Sequence, residues 1–269
     1  MRMYLSPLYG EITKITAFTY KNWIMTKRNF FTFFEIIFWP VVGFLSVGLL
    51  AEFTQLQPEM RAFILLGVIA MGAVQVCQLD VCYALLYDVW SKAVKHIFIA
   101  PIGIRHMLLG SLLMGIARGS VVFIILLIAS SIFFDFNFMV PGITANLIFA
   151  FGLFLNGAMV GMLVCILVLI FGNRAEVAAW SIVSLMLLVC GIYYPVSILP
   201  KGIMYLAEAI PLTFLLEYFR QFYGFKPTFD HVLAKAYIMV FCYLFLEVLL
   251  LKLAIWRAKR KGTLLKLSE

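Results

Sequence analysis

Three charged side chains, Asp80, Arg118 and Glu247, stand inside otherwise apolar stretches of this sequence. A cation near the middle of a membrane span costs about 2.5–3.5 kcal/mol even on the lenient insertion scale, so Arg118 is expected to face a bundle interior with an acid beside it. Asp80 and Glu247 are the acids at similar depth. Such a set can hold a bundle together as an ion pair, or recognise and gate a polar group. Gln75 and Gln78 share a face with Cys82 and lay a polar strip along the same stretch as Asp80. Glu35 is read as an interfacial anchor.

A second polar group lies in the connection DVWSKAVKHIFIAPIGIRHMLLG, residues 88–110. On a helix, Lys92, Lys95 and His96 share one face and Ile97, Phe98 and Pro101 another. Asp88 stands four residues before Lys92, the favourable order for a helical pair. Pro101 and Gly103 then end the helix. A short helix that is polar on one side and apolar on the other is suited to docking a soluble partner. His96 and His106 are read as interfacial polar residues, since no second cluster of ligand residues lies near them.

The third group is in the apolar but proline-punctuated segment GIYYPVSILPKGIMYLAEAIPLTFLLEYFRQFYG, residues 191–224. Pro195, Pro200 and Pro211 divide it into pieces no longer than roughly 10–13 residues, against about 20 needed to cross a bilayer. Non-helical backbone at membrane depth survives only inside protein or along a water-filled cavity. The expected shape is therefore one or two short helices dipping back into the outer leaflet. Glu217 and Arg220, three apart, are expected to pair.

The elements that position these groups follow from composition. The chain has 269 residues, 64% apolar and 13% charged, with a mean hydropathy of +1.04. Soluble domains are about half apolar and a quarter charged, so this is a polytopic all-α membrane protein. Six spans are expected: Phe30–Leu50, Ala62–Leu86, Met107–Phe134, Ile143–Phe171, Val177–Tyr193 and Val232–Trp256. Before them, Leu8, Ile12, Ile15, Thr19 and Trp23 recur at helical spacing opposite Lys14 and Lys21, which predicts an amphipathic helix lying in the interface over residues 1–29. Gly115 with Gly119 and Gly157 with Gly161 fit G-x-x-x-G and are expected to pack the third and fourth spans together. The first 29 residues carry five cations and no unbroken apolar core, so no cleavable signal is expected. The five cysteines are odd in number and lie in apolar runs, which argues against a disulfide framework.

Most of the 21 Lys and Arg residues fall on one side if both termini are cytoplasmic: Arg2 to Arg28, the 92–105 connection, Arg174, and the tail from Lys252 to Lys266. This bias accounts for the net charge of +8, with anionic lipid as a contributing surface and without nucleic acid. Residues 257–269 form a basic cytoplasmic tail.

On these residues the chain resembles the ABC-2 type permeases, the membrane subunits of ATP-driven exporters. The resemblance rests on Trp39-Pro40, on the acidic-basic helix ending at Ala100-Pro101, and on Pro195, Leu199, Pro200, Pro211, Leu212, Thr213, Arg220 and Gly224. It implies one transmembrane domain over residues 1–269 and a homodimer or pseudo-dimer clamped by two ATP-binding subunits. It also implies a coupling helix over 88–104 using Asp88, Trp90, Lys92, Lys95, His96, Ile97, Phe98 and Pro101; the outer re-entrant segment 194–226, with Pro195, Pro200, Pro211, Glu217 and Arg220, is expected to form the outer gate. ATP and Mg would sit on the partner subunit, with no cofactor and no metal on this chain. The coupling helix departs from the family's Arg-x-Gly-Thr-Leu-Glu-like run, reading Trp90-Ser91-Lys92-Ala93-Val94-Lys95-His96. The chain has no G-x-x-x-x-G-K-[ST] loop, so nucleotide chemistry must be borrowed. Nor does it have G-x-S-x-G or H-E-x-x-H, and its histidines lie at or outside span ends, which argues against an intramembrane enzyme. A channel or secondary transporter would place broken helices in both halves, whereas only the second half has one. The expected cargo is a drug, lipid or glycolipid, with a lipid-linked polysaccharide as the alternative.

Overall fold

The computed structural model describes residues 7–28, 30–92 and 102–260, and all regular elements among them are helical. Helix α1 is Pro7–Arg28, α2 Phe30–Phe53, α3 Pro58–Trp90, α4 Ile104–Phe134 and α5 Gly142–Phe171. They are followed by α6 Ala178–Val189, α7 Lys201–Glu208, α8 Pro211–Arg220 and α9 Val232–Arg260. Five helices, α2, α3, α4, α5 and α9, are long and apolar enough to cross a membrane. The bent pair of α7 and the Pro211–Tyr223 segment, turned by 90°, would make a sixth crossing if counted as one span. The chain is a polytopic helical membrane protein.

The fifth expected span is corrected. Helix extends only over Ala178–Val189, 12 residues or about 18 Å, against roughly 30 Å of hydrocarbon. It is entered from the 3₁₀ turn Asn173–Val177, behind Gly172 at φ +86°, and it ends before Gly191 at φ +72°. The sequence stays apolar through Tyr193, but the left-handed glycine turns the chain after Cys190.

Helix α3 is the axis of the bundle. It packs against α4 on one side and α5 on the other, α9 lies on α5, and α8 fits between α5 and α9. The glycine motifs explain the close approach and correct their expected partners. A Cβ at Gly115 would lie 3.1 Å from the Cys77 carbonyl oxygen. One at Gly157 would meet the Val74 carbonyl at 2.9 Å, and one at Gly161 the Gln78 carbonyl at 2.8 Å. Gly115, Gly157 and Gly161 thus face α3, whereas Gly119 lies against the fourth span, where a Cβ would meet the Phe154 ring at 2.8 Å. Small residues allow this because apolar side chains gain nothing over lipid by contacting one another, so packing must come from close backbone approach.

Two apolar cores are stacked along the bundle. One holds Phe44, the Leu65–Cys77 stretch of α3, Leu126, Phe149, Leu153 and Phe219. The other holds Phe18, the Cys82–Val89 stretch of α3, Met107, Val164, Leu169 and Leu251. Between them α3 places two of its buried polar residues, Gln78 and Asp80.

Helix α1 departs from the expected stripe. Phe18, Asn22 and Thr26 are its buried face, set against α4, while Ile12, Tyr20 and Trp23 are exposed. The Thr19 hydroxyl donates to the Gly110 carbonyl at 3.0 Å. The helix grips the protein through Phe18 and a polar seam and leaves Ile12, Tyr20 and Trp23 outward.

Candidate functional site

Arg118 settles on Asp80. Its Nη1 donates to Asp80 Oδ1, and its Nη2 donates to the Asn22 carbonyl of α1 at 3.1 Å. Asn22 in turn donates to the Ser111 hydroxyl at 3.3 Å. One guanidinium therefore ties α4 to α3 and α1 at the polar level between the two cores. Asp80 Oδ2 and Arg118 Nε have no protein partner. A small cavity of about 20 Å³ adjoins them, bounded by Trp39 and Pro40 of α2, Gln75 and Tyr83 of α3, and Trp180 of α6. That is room for about one water-sized group. Glu247, the other expected acid, takes no part in this pair. It is buried in α9 near Cys165, and its Oε2 has no hydrogen-bond partner. Gln78 turns away from any open path, donating to the Ala179 carbonyl of α6 at 3.3 Å.

The proposed docking helix is described only at its edges. Asp88 and Trp90 form the last turn of α3, which ends at Trp90. Lys92 follows in the left-handed region at φ 57°. The helix therefore does not run continuously through Asp88 and Lys92, and their expected i,i+4 pair is corrected: Asp88 Oδ1 takes the Lys21 ammonium of α1. Trp90 stacks edge-on with Tyr83 and Tyr87 and donates its indole N–H to Glu176 at 2.7 Å. Lys95, His96, Ile97, Phe98 and Pro101 lie outside the described residues, as does the Glu35 side chain.

Where the chain returns in α4, a network appears that the sequence reading missed. Gly103 N–H donates to His106 Nδ1 at 2.8 Å, so the ring proton sits on Nε2 and goes to Glu11 Oε2 at 2.9 Å. Arg105 pairs with the same Glu11 oxygen, and Lys14 with Oε1 at 3.1 Å. Only the Glu11–Lys14 spacing was visible in the sequence; His106 lies 95 positions away. The hydrogen bond from His106, then that from Lys14, and the Arg105 charge hold the Glu11 carboxyl below its ordinary value of 4.5. A depressed carboxylate supports the fold above its unfolded value and loses that support as pH falls. The grip of α1 on α4 is therefore expected to weaken as pH drops below about 4.5. Hydrogen exchange of α1 measured between pH 7 and pH 3, corrected for the intrinsic exchange rate, checks this, and Glu11→Gln should abolish the pH dependence.

Within the proline-punctuated segment α7 is largely exposed and α8 is packed into the bundle. Every residue of α8 except Tyr218 is buried. Arg220 Nη1 donates to the Gly191 carbonyl at 2.6 Å, and Nη2 to Ile192 at 3.0 Å and Phe63 at 3.1 Å. Its guanidinium carbon lies 3.4 Å from the centroid of the Phe63 ring. Glu217 does not pair with Arg220; its Oε2 accepts from the backbone of Thr228 at 3.0 Å and Phe229 at 3.3 Å. The expected i,i+3 ion pair fails because each side chain has unpaired backbone groups nearer at hand. The prolines, too, are helix starters: Pro195 precedes the turn Val196–Ile198, Pro200 precedes α7, and Pro211 is the first residue of α8. At those positions the missing N–H costs nothing. Among the described residues no group of three or more His, Cys, Asp or Glu could hold a metal.

No protein-family model matches the chain. A protein of Archaeoglobus fulgidus, described as uncharacterized, is 46% identical over 59 residues, which cover 22% of this chain and 92% of that protein. Over that stretch the two belong to one family.

Proposed function

We propose that this chain is the membrane-spanning permease subunit of an ATP-driven exporter of the ABC-2 type, moving a hydrophobic or amphiphilic cargo out of the cytoplasm. What supports the reading is how the ends of α3 and α4 are tied together. Lys21–Asp88 anchors α1 to the last turn of α3, and Glu11 with Arg105 and His106 anchors it to the first turn of α4. The 93–101 connection lies between those two anchors. A push on that connection therefore enters α1, α3 and α4 together, and the same three helices meet again at the Asp80–Arg118–Asn22 junction. The mechanical link and the buried Asp80–Arg118 ion pair are in series.

In this reading the α1 end is cytoplasmic, and residues 88–104 engage the ATP-binding subunit, which supplies ATP and Mg. The bent pair of α7 and α8 lies toward the outer leaflet.

The test is association. The chain is co-expressed with candidate ATP-binding-cassette subunits from the same genome and purified from membranes. Ile97→Asp and Phe98→Asp should each reduce co-purification of the associating subunit at least tenfold while membrane levels hold, because a lone charge is rejected by an apolar docking groove. Unchanged co-purification of both variants rules out this connection as the dock. If no ATP-binding subunit associates with the unmodified chain, the exporter reading itself fails.

A further inference from the structure

A cavity of about 300 Å³ lies between α4 and α9, far larger than the space beside Asp80. Leu108 and Leu112 of α4, Met162 of α5, and Leu244 and Val248 of α9 make its walls apolar. These residues repeat at one-turn intervals along α4 and α9, so the walls run parallel to the helices. Two cations complete the lining: Arg105, one turn before Leu108 and Leu109, and Lys252, one turn after Val248. Both stand at the same end. No carboxylate lines the cavity. Arg105 shares its charge with Glu11, while Lys252 makes no ion pair among the described residues.

The dimensions fit a lipid. From Arg105 to Leu112, and from Lys252 to Leu244, the helices rise about 10–12 Å, most of the depth of one leaflet of a bilayer with a hydrocarbon core of about 30 Å. An aqueous anion would gain from the two cations but nothing from walls this long and dry. A neutral chain would fill the walls and leave the cations unused. We infer that the groove holds one acyl chain of an anionic phospholipid, its phosphate drawn between Arg105 and Lys252. Long basic side chains at the edge of an apolar surface reach the headgroup level while their stems stay against the chain. A lipid held there would wedge α9 against α4 and contact Arg105, the residue that pins α1 through Glu11.

The experiment is native mass spectrometry of the full-length chain with dioleoyl phosphatidylglycerol or dioleoyl phosphatidylcholine, lipids alike in their chains. Phosphatidylglycerol should be retained over phosphatidylcholine. Lys252→Gln, a surface change, should weaken phosphatidylglycerol binding about fivefold and leave phosphatidylcholine unaffected. Leu109→Trp, filling the groove, should weaken phosphatidylglycerol at least as much, with unchanged monodisperse elution as the check on folding. Equal retention of the two lipids overturns the inference, as does parent-like binding by both variants. Displacement of the lipid by an equal concentration of glycerol phosphate would make this an anion site only. Disulfide formation between copies carrying Leu109→Cys in vesicles would show that a second copy covers the groove, and would equally overturn it.

Discussion

Replacing Arg118 with methionine is expected to cost about 3–5 kcal/mol of stability, enough to leave little monodisperse protein after extraction. The loss comes from what stays behind: Asp80 is buried between two apolar cores, and its carboxylate would have no cation. Removing both charges together, Arg118→Met with Asp80→Asn, should recover much of the loss, because a neutral pair of similar size needs no counter-charge. Apparent melting temperatures of the two single variants and the double variant measure the coupling directly. Since Arg118 also donates to the Asn22 carbonyl, Arg118→Met should raise hydrogen exchange across α1, whereas Asp80→Asn should not. A single Arg118 variant that melts with the parent would end the view that this pair holds the bundle, and would leave recognition of cargo as its role.

Arg220→Leu should be as damaging. Three carbonyls, from Gly191, Ile192 and Phe63, lose their donors at once, and a buried unsatisfied acceptor costs about 1–3 kcal/mol. With relaxation, a net loss of about 3–6 kcal/mol is expected, seen as low yield and a lowered melting temperature. Arg220→Lys should be intermediate, since a single ammonium cannot reproduce the fork that reaches both the Gly191 turn and the start of α3. Glu217→Gln should be mild, because the amide oxygen still accepts from Thr228 and Phe229. That contrast is the test: if Glu217→Gln were as harmful as Arg220→Leu, the two would be acting as an ion pair. The segment ending in Arg220 is a rivet between the α6–α7 turn and α3, with Gly67 making room for it. A Cβ there would fall 2.1 Å from the Ile192 carbonyl oxygen. Any opening at this end must move the riveted unit as a body.

Much of this architecture is legible without coordinates. Length, hydropathy and helical periodicity predict the long helices α2, α3, α4, α5 and α9 to within a few residues at most ends, because in hydrocarbon a backbone can satisfy itself only within the helix. The cost of a buried cation likewise makes Arg118 stand out, and names two acids for it. The same reasoning shows that residues 191–224 must be broken, since Pro195, Pro200 and Pro211 leave pieces too short to span, whereas the lone Pro40 is carried inside α2.

Pairing is what the fold alone decides. Hydropathy does not distinguish Asp80 from Glu247, which lie at similar depth; the choice follows from α3 packing against α4 while α9 packs against α5. The glycine motifs mark close approach but carry no address: Gly115, Gly157 and Gly161 receive α3, which runs between their helices, while Gly119 receives Phe154 of α5. The apolar run through Tyr193 reads as a span, yet the turn at Gly191 ends it, since a left-handed backbone step outweighs hydropathy. Glu217 and Arg220 sit at ideal spacing and still part, because buried backbone groups 11 to 157 positions away in sequence have the stronger claim on them. Local periodicity fixes which segments are helices and which faces are greasy. Which polar group meets which is set by long-range burial, where an unpaired donor or acceptor costs more than any helical neighbour returns.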